Sequence, residues 1–226
     1  MSLHEAGAAT GKPLWLRLRQ ALGRVRRSFA LDTYDVFLRR VRPEDREFEG
    51  PAGYRFAWAE PADVEGCDPY HTELDERERR EGVQRLALGH RAVLAFHGER
   101  VVFSMWVNPR NVNVPGHVKL RLDPERVFIY KAFTSPEHRG RKLYEGGMRF
   151  VLADLARSGK QGLVGYAHLK KSISRRGLAA LHFESLGRFH RLSCPGFQRT
   201  FISRELRRHL PESVPRSRAV ETPAGT

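Results

Sequence analysis

The chain has 226 residues, 40% of them hydrophobic and 10% aromatic, which suits one well-cored domain with extensions and excludes wholesale disorder. Its formal net charge of +14 points to polyanionic partners (nucleic acid, an anionic membrane or a phosphate-rich cofactor), against the plainer alternative of solvated arginine faces. Two cysteines, Cys67 and Cys194, form neither a metal-ligand spacing nor a disulfide framework, and no apolar run is long enough to span a bilayer, so a cytoplasmic location is expected.

The first 13 residues are small and polar and lack the apolar core of a secretory signal. In "LWLRLRQALGRVRRSF", Leu14, Leu18, Ala21, Leu22, Val25 and Phe29 recur at helical spacing between arginines, which predicts a basic amphipathic helix. Such a helix either touches an anionic membrane surface or docks on its own domain. "TYDVFLRRV", 33–41, alternates like a half-buried strand, and 42–72 reads as loops with one short strand near "YRFAWA". A charged helix is expected over 73–89, ending at Gly89. "RAVLAF" and "RVVFSMWV" around "HGE" predict a hairpin turning at Gly98. After a Pro/Asn-rich loop over 108–117 come "VKLRL" and "RVFIYKAFT", two further strands.

The stretch "TSPEHRGRKLY", 134–144, then joins a strand to the amphipathic helix "LYEGGMRFVLADLARSG", closed by Gly159. "GLVGYAHL" has the composition of a buried strand, "SISRRGLAALHF" reads as a short helix, and "SLGRFHRLS" and "FQRTFIS" as a final strand pair around Pro195-Gly196. From about 205 onward the chain reads as a loose polar tail. The order is that of an α/β protein with a mixed sheet. There is no G-x-G-x-x-G, no Walker-type phosphate loop and no H-E-x-x-H.

A strand followed by Pro136-x-x-Arg139-Gly140 and a helix resembles the pyrophosphate loop of the GNAT acyltransferase superfamily, where the segment reads roughly P-x-x-R-G-x-G-x-G/A. Lys142 and Tyr144 stand where that family usually has Gly and Gly or Ala; Lys142 offers an ammonium in return, and Tyr144 would crowd the site or stack near the pantetheine. Further on, His182-Phe183 stands where "GF" opens the family's last two strands, and Lys171 replaces an Asn. The hairpin "AVLAFHGERVVFSMW" matches the family's second and third strands, so the resemblance covers about residues 34–203.

The resemblance implies a largely antiparallel sheet flanked by helices, with a central parallel strand pair splayed to admit acetyl coenzyme A or another acyl coenzyme A. Main-chain groups near Phe133 and Thr134 would bind the pantetheine, and Arg139, Gly140, Arg141, Lys142, Leu143 and Tyr144 the pyrophosphate. An acceptor amine would attack the thioester directly, with a strand N–H polarising its carbonyl. The family's usual acid, a Tyr four residues before the "GF" glycine, falls on Leu178 here. Tyr130, Tyr166 and above all His168 are the replacement candidates for moving protons. Each also has a plain structural reading, a packed strand tyrosine or a hydrogen-bonded turn histidine. Glu137 and Glu145 flank the loop, where acids ordinarily complement the helix dipole. "MWVNPRNVNVP" would line the acceptor side or simply turn the chain.

The domain expectation is a flexible start and basic helix over 1–30, an acyltransferase-like domain over 31–205, and a tail over 206–226. The leading functional expectation is an N-acyltransferase acting on the primary amine of a small molecule, or on a lipid- or sugar-linked amine, with contact to an anionic membrane through the leader. A coenzyme-binding or regulatory module that has lost catalysis is the alternative. Nucleic acid ranks last as a partner, because no helix-turn-helix, zinc finger or RNA-recognition motif is present.

Overall fold

The computed structural model describes residues 30–211, apart from residue 73 and residues 116–117. The amphipathic segment expected before residue 30 and the chain beyond 211 lie outside the described residues. Among the described residues there are ten strands, six α-helices and two short 3-10 turns, Pro43–Arg46 and Pro136–His138. Strand β1 is Ala30–Arg40, β2 is Arg55–Trp58, and three helices follow: α1 Pro61–Glu65, α2 Pro69–Thr72 and α3 Glu76–Ala87. Then come β3 Arg91–His97, β4 Arg100–Asn108, β5 Asn111–Val114, β6 Val118–Arg121, β7 Arg126–Thr134 and α4 Leu143–Arg157. β8 Gly162–His168, α5 Ser172–Ala180, β9 Glu184–Cys194, β10 Phe197–Ile202 and α6 Arg204–His209 complete the fold.

Eight strands form one sheet in the order β10-β9-β1-β8-β7-β4-β3-β2, and β5 and β6 form a separate ribbon. Every neighbouring pair in the large sheet is antiparallel except β7 and β8. This is the mixed, largely antiparallel sheet that the resemblance implies. The first strand does not sit at an edge: it pairs with β8 on one side and β9 on the other, from Tyr34↔His168 to Arg40↔Gly162 and from Ala30↔Ser193 to Leu38↔Glu184.

The central strands read as unbroken apolar runs because both of their faces are covered. On one face α4 presents Leu143, Met148, Val151, Leu152 and Leu155 to Val93, Phe103, Met105, Val127 and Ile129. On the other, Val36, Leu38, Phe128, Val164 and Phe189 pack under the ribbon residues Val112, Val114 and Leu120. Beside them α1 and α3 bury Val64 and Val83 against Ala92 and Trp106.

Three expectations need correction. The stretch 108–117 is not simply a loop; its alternating Val112 and Val114 point into the core and pair with β6. Residues 61–72 form two helices of five and four residues, too short to display a helical period. The chain from 205 is not a loose tail as far as it is described: Ser203 Oγ accepts from the Leu206 N–H at 3.2 Å, capping α6, and Leu206 and Leu210 are fully buried. Burying two leucines is worth about 1.5–3 kcal/mol each, enough to pin one short helix to the sheet.

Candidate active site

Parallel pairing between β7 and β8 lasts for three residue pairs, Arg126↔Gly162, Val127↔Leu163 and Phe128↔Val164. Beyond Phe128, β7 follows β4 and β8 follows β1, so the two strands diverge. A bulge drives the divergence. Two steps along β4, from Trp106 to Ser104, are matched by three along β7, from Tyr130 to Phe133. The extra residue bends the strand, and Lys131 takes a left-handed φ of 47° there. An ion-pair chain braces the bend: Lys131 Nζ meets Glu78 Oε1 at 2.6 Å, and Glu78 Oε2 also receives Arg85 at 3.1 Å. The result is a V-shaped cleft of about 280 Å³, with Ile129 and Ala132 on one wall and Gly165 and Ala167 on the other.

The loop 135–142 stands at the end of β7. Ser135 N–H donates to Val102 O on β4 at 2.9 Å, so its neighbour Thr134 turns its N–H and C=O toward the open side, while Phe133 pairs back toward β4. Of the two residues expected to hold pantetheine through the main chain, the structure therefore aims Thr134 at the cleft and Phe133 away from it. Arg139 Nε donates to Thr134 O at 3.3 Å, closing the loop on itself, and Tyr54 Oη pairs with His138 Nδ1 at 2.9 Å.

Gly140 has φ +78° and Lys142 φ +57°, which turns the chain into α4. The first helical bond runs from Gly146 N–H to Lys142 O at 2.8 Å, and no side chain caps the helix. The N–H groups of Leu143, Tyr144 and Glu145 consequently have no intrahelical acceptor. Arg139, Arg141 and Lys142 are exposed around them. Amides, helix dipole and cations together favour an anion. Glu145 is turned aside to Arg149 Nε at 2.9 Å.

The cleft passes through the sheet, and its two faces carry different chemistry. Tyr130, Tyr166 and His168, the three expected proton carriers, all lie on the face away from α4, joined by Tyr34 of β1. Tyr34 stacks on Phe189 (4.7 Å) and meets Tyr166 edge-on (5.6 Å), so this face is an aromatic wall. The groups are not equally available. Tyr130 Oη is 2.6 Å from His90 Nδ1, and burial pushes its phenol up to about 12. Both nitrogens of His168 are engaged: Nδ1 accepts from Lys170 N–H at 3.0 Å, and Nε2 faces Asp32 Oδ1 at 3.1 Å. The Tyr166 hydroxyl makes no hydrogen bond within the described residues, and burial, then Tyr34, raises its pKa.

On the α4 face the cleft is lined by Met105, Tyr144, Ser174 and Leu178. Tyr144 is more than a loop residue. Its ring lies against α5, where a Cβ on Gly177 would come within 3.3 Å of its Cε1, and burial alone lifts its phenol to about 12. Tyr34, Asp32 and Met105 belong to no sequence motif. Their signal was the alternation of β1 and β4, which assigns faces only once the neighbouring strands are known.

No protein-family model and no curated protein matches this chain. Solved structures do. A GCN5-related glucosamine N-acetyltransferase region of a fungal multi-domain GH3 β-N-acetylglucosaminidase superposes with a TM-score of 0.51 at 12% identity. That alignment covers 84% of this chain and 23% of the larger protein. A putative acetyltransferase of the GNAT family from Novosphingobium aromaticivorans gives 0.45 at 16% identity, covering 74% of this chain and 66% of that one. A functionally unknown conserved protein from Staphylococcus epidermidis gives 0.48 at 10%, covering 82% and 69%. The chain has the GNAT fold: a mixed, mostly antiparallel sheet, one parallel strand pair at its centre and helices on both sides.

Proposed function

We propose that this protein is an N-acyltransferase that takes an acetyl or longer acyl group from its coenzyme A thioester and passes it to a primary amine. One observation carries the reading: the V between β7 and β8 opens beside an uncapped, cation-ringed helix start. A molecule with a diphosphate at one end and a long narrow thioester arm at the other matches that combination. The diphosphate rests on the amides of Leu143, Tyr144 and Glu145 with Arg139, Arg141 and Lys142 around it. The arm follows the open side of β7, where Thr134 and, two residues earlier, Ala132 turn their peptide groups outward. An N–H there is suitably placed to polarise the thioester carbonyl.

The acceptor enters from the opposite face, along Tyr34, Tyr130 and Tyr166. Its amine attacks the carbonyl carbon and loses a proton; Asp32, with a side chain 30% exposed beside His168, is the carboxylate on that face. A lipid- or sugar-linked amine is as compatible with this open aromatic wall as a free small molecule. The location is taken as cytoplasmic, with the basic leader giving peripheral contact to an anionic membrane; among the described residues no helix is long and apolar enough to cross one.

Acetyl coenzyme A should raise the melting temperature in proportion to its occupancy, by mass action. In the same assay Arg139→Ala/Lys142→Ala should lose most of that rise. A full rise in the double variant removes the loop from the site. Thiol release over a panel of amines then tests turnover. A melting shift without thiol release supports the coenzyme-binding module, the reading favoured by the engaged nitrogens of His168 and by Leu178.

A further inference from the structure

We infer that the open corner of the sheet formed by β1, β9 and β10 rests on an anionic membrane surface, with Leu31, Phe197 and Phe201 as its apolar anchors. The inference extends the membrane contact proposed above from the leader to the folded domain. It does not depend on the acyl-transfer chemistry.

A sheet face ordinarily lies under a second layer. On the α4 side that cover stops at β1. Phe37 packs into the core that α4 and α5 close, and two residues earlier Arg175 of α5 meets Asp35 at 3.3 Å. Beyond Asp35 the same face continues across three strands. Leu31 stands opposite Leu192, Phe201 opposite His190, and Phe197 opposite Cys194. Five large apolar side chains are exposed among the described residues, and three of them are here: Leu31 at 63%, Phe197 at 50% and Phe201 at 44%. Phe197 directly follows the Pro195-Gly196 turn of the β9–β10 hairpin.

The exposed charges around these anchors have one sign. Arg175, Arg188 and Arg199 are all exposed. Asp35, the one acid that the register places on this face, is buried and held by Arg188 Nε at 2.6 Å as well as by Arg175. Apolar side chains ringed by guanidiniums match a bilayer with anionic headgroups: the rings enter the boundary between headgroups and acyl chains, and the arginines meet the phosphates. Charge also decides against two other occupants. Residues 14–29, which lead into β1 at Ala30, contain Arg17, Arg19, Arg24, Arg26 and Arg27 and no acid, so laying them on this corner brings like charges together. A second copy stacked on it through the same face would do so too. Leader and corner instead adjoin at Ala30 and add up to one cationic, apolar surface.

The full-length protein is sedimented with mixed phosphatidylglycerol–phosphatidylcholine vesicles and with phosphatidylcholine alone. It should bind the mixed vesicles, release them as salt is raised, and bind the neutral ones weakly. Phe197→Ser/Phe201→Ser should lower partitioning about tenfold, through the lost apolar contact of two half-exposed rings. Arg199→Glu should lower it by about as much. Leu88→Ser, an equally exposed apolar residue at the end of α3, should leave it unchanged. A second readout leaves the anchors intact. Cys194 faces Phe197 across the hairpin and Cys67 is buried, so a thiol-linked, environment-sensitive fluorophore reports from the corner. Its emission should shift to the blue with mixed vesicles only. If the anchor variants sediment like the wild type and the fluorophore does not respond, the corner is not the docking face, and the leader contact stands. If the wild type does not sediment with mixed vesicles, both fall. A fluorophore already shielded without vesicles overturns the inference as well: release by Leu18→Glu/Leu22→Glu assigns the corner to the leader, and shielding that grows with protein concentration assigns it to a second copy.

Discussion

Lys142 and His182 stand where the resembling family has glycines, and both adopt the conformation glycine favours, φ +57° and +58°. A non-glycine residue in the left-handed region costs about 1–2 kcal/mol, partly offset because glycine loses more entropy on folding. His182 is exposed and makes the tight turn between α5 and β9, with its N–H bonded to Ala179 O at 3.0 Å. His182→Gly should therefore stabilise the protein by up to about 1 kcal/mol, and His182→Val should destabilise it, a β-branched side chain being worst there. Chemical denaturation reads both; a loss of stability in the glycine variant contradicts the strain argument. A second residue-scale effect concerns pH. Burial, followed by Arg85, Arg110 and Lys119, lowers the pKa of His90, whose Nδ1 lies 2.6 Å from Tyr130 Oη. Below the ordinary histidine range the unfolded chain binds a proton that the folded one resists, so stability falls as the pH drops through about 6.5 and below. Melting curves from pH 7.5 to 5 should show this decline in the wild type and less of it in His90→Gln; parallel declines would place the acid sensitivity elsewhere.

At the scale of elements, α4 shows how a sequence can be locally unhelical and globally right. Gly146 and Gly147 weaken the helix in isolation by about 1 kcal/mol each. Yet a Cβ on Gly147 would lie 2.6 Å from Phe103 Cε1, and Phe103 is fully buried. The missing side chain lets the helix settle onto β4, bringing its amides down to the mouth of the cleft. Gly147→Ala should cost about 1–3 kcal/mol net of the gain in helix propensity, and should reduce the melting shift from acetyl coenzyme A as well. An alanine variant as stable as the wild type means the helix can ride higher than the packing implies. Elements with a plain local signal were legible beforehand: the 91–108 hairpin through its two apolar runs and the turn at Gly98, α3 and α4 through their apolar spacing, and the loop through Pro136, Arg139 and Gly140. What escaped were short elements and pairings. Helices α1 and α2 span barely a turn each, α6 hides its Leu206/Leu210 repeat among arginines, and the β5–β6 ribbon lies in a stretch dominated by turn residues. The geometry of the cleft was half legible. Tyr166 and His168 share one strand face as expected, but the Nε2 contact of His168 depends on Asp32, 136 residues away in the chain.

For the whole molecule, the decisive contact is the longest-range one. β1 is a wedge between β8 and β9, and without it the sheet would divide into the half carrying β8 and α4 and the half carrying β9 and β10. Its pairing partners lie more than a hundred residues downstream, so the wedge cannot close until most of the chain has been made, a high-contact-order arrangement that folds slowly. It also sets the far wall of the candidate site, because β8 leaves β7 only by following β1. Val36 occupies the centre of the wedge, paired with Tyr166 on one side and Gly187 on the other, and is fully buried. A carboxylate there has no cation among the apolar neighbours Leu38, Phe128, Val164 and Phe189. Val36→Asp should cost at least about 4 kcal/mol, a fall in melting temperature on the order of 10 °C, and should abolish the stabilisation by acetyl coenzyme A. Leu31→Asp, on the same strand but 63% exposed, should change neither by more than a few tenths of a kcal/mol. If Val36→Asp melts with the wild type, or still gains the full ligand shift, β1 is not what holds the V open.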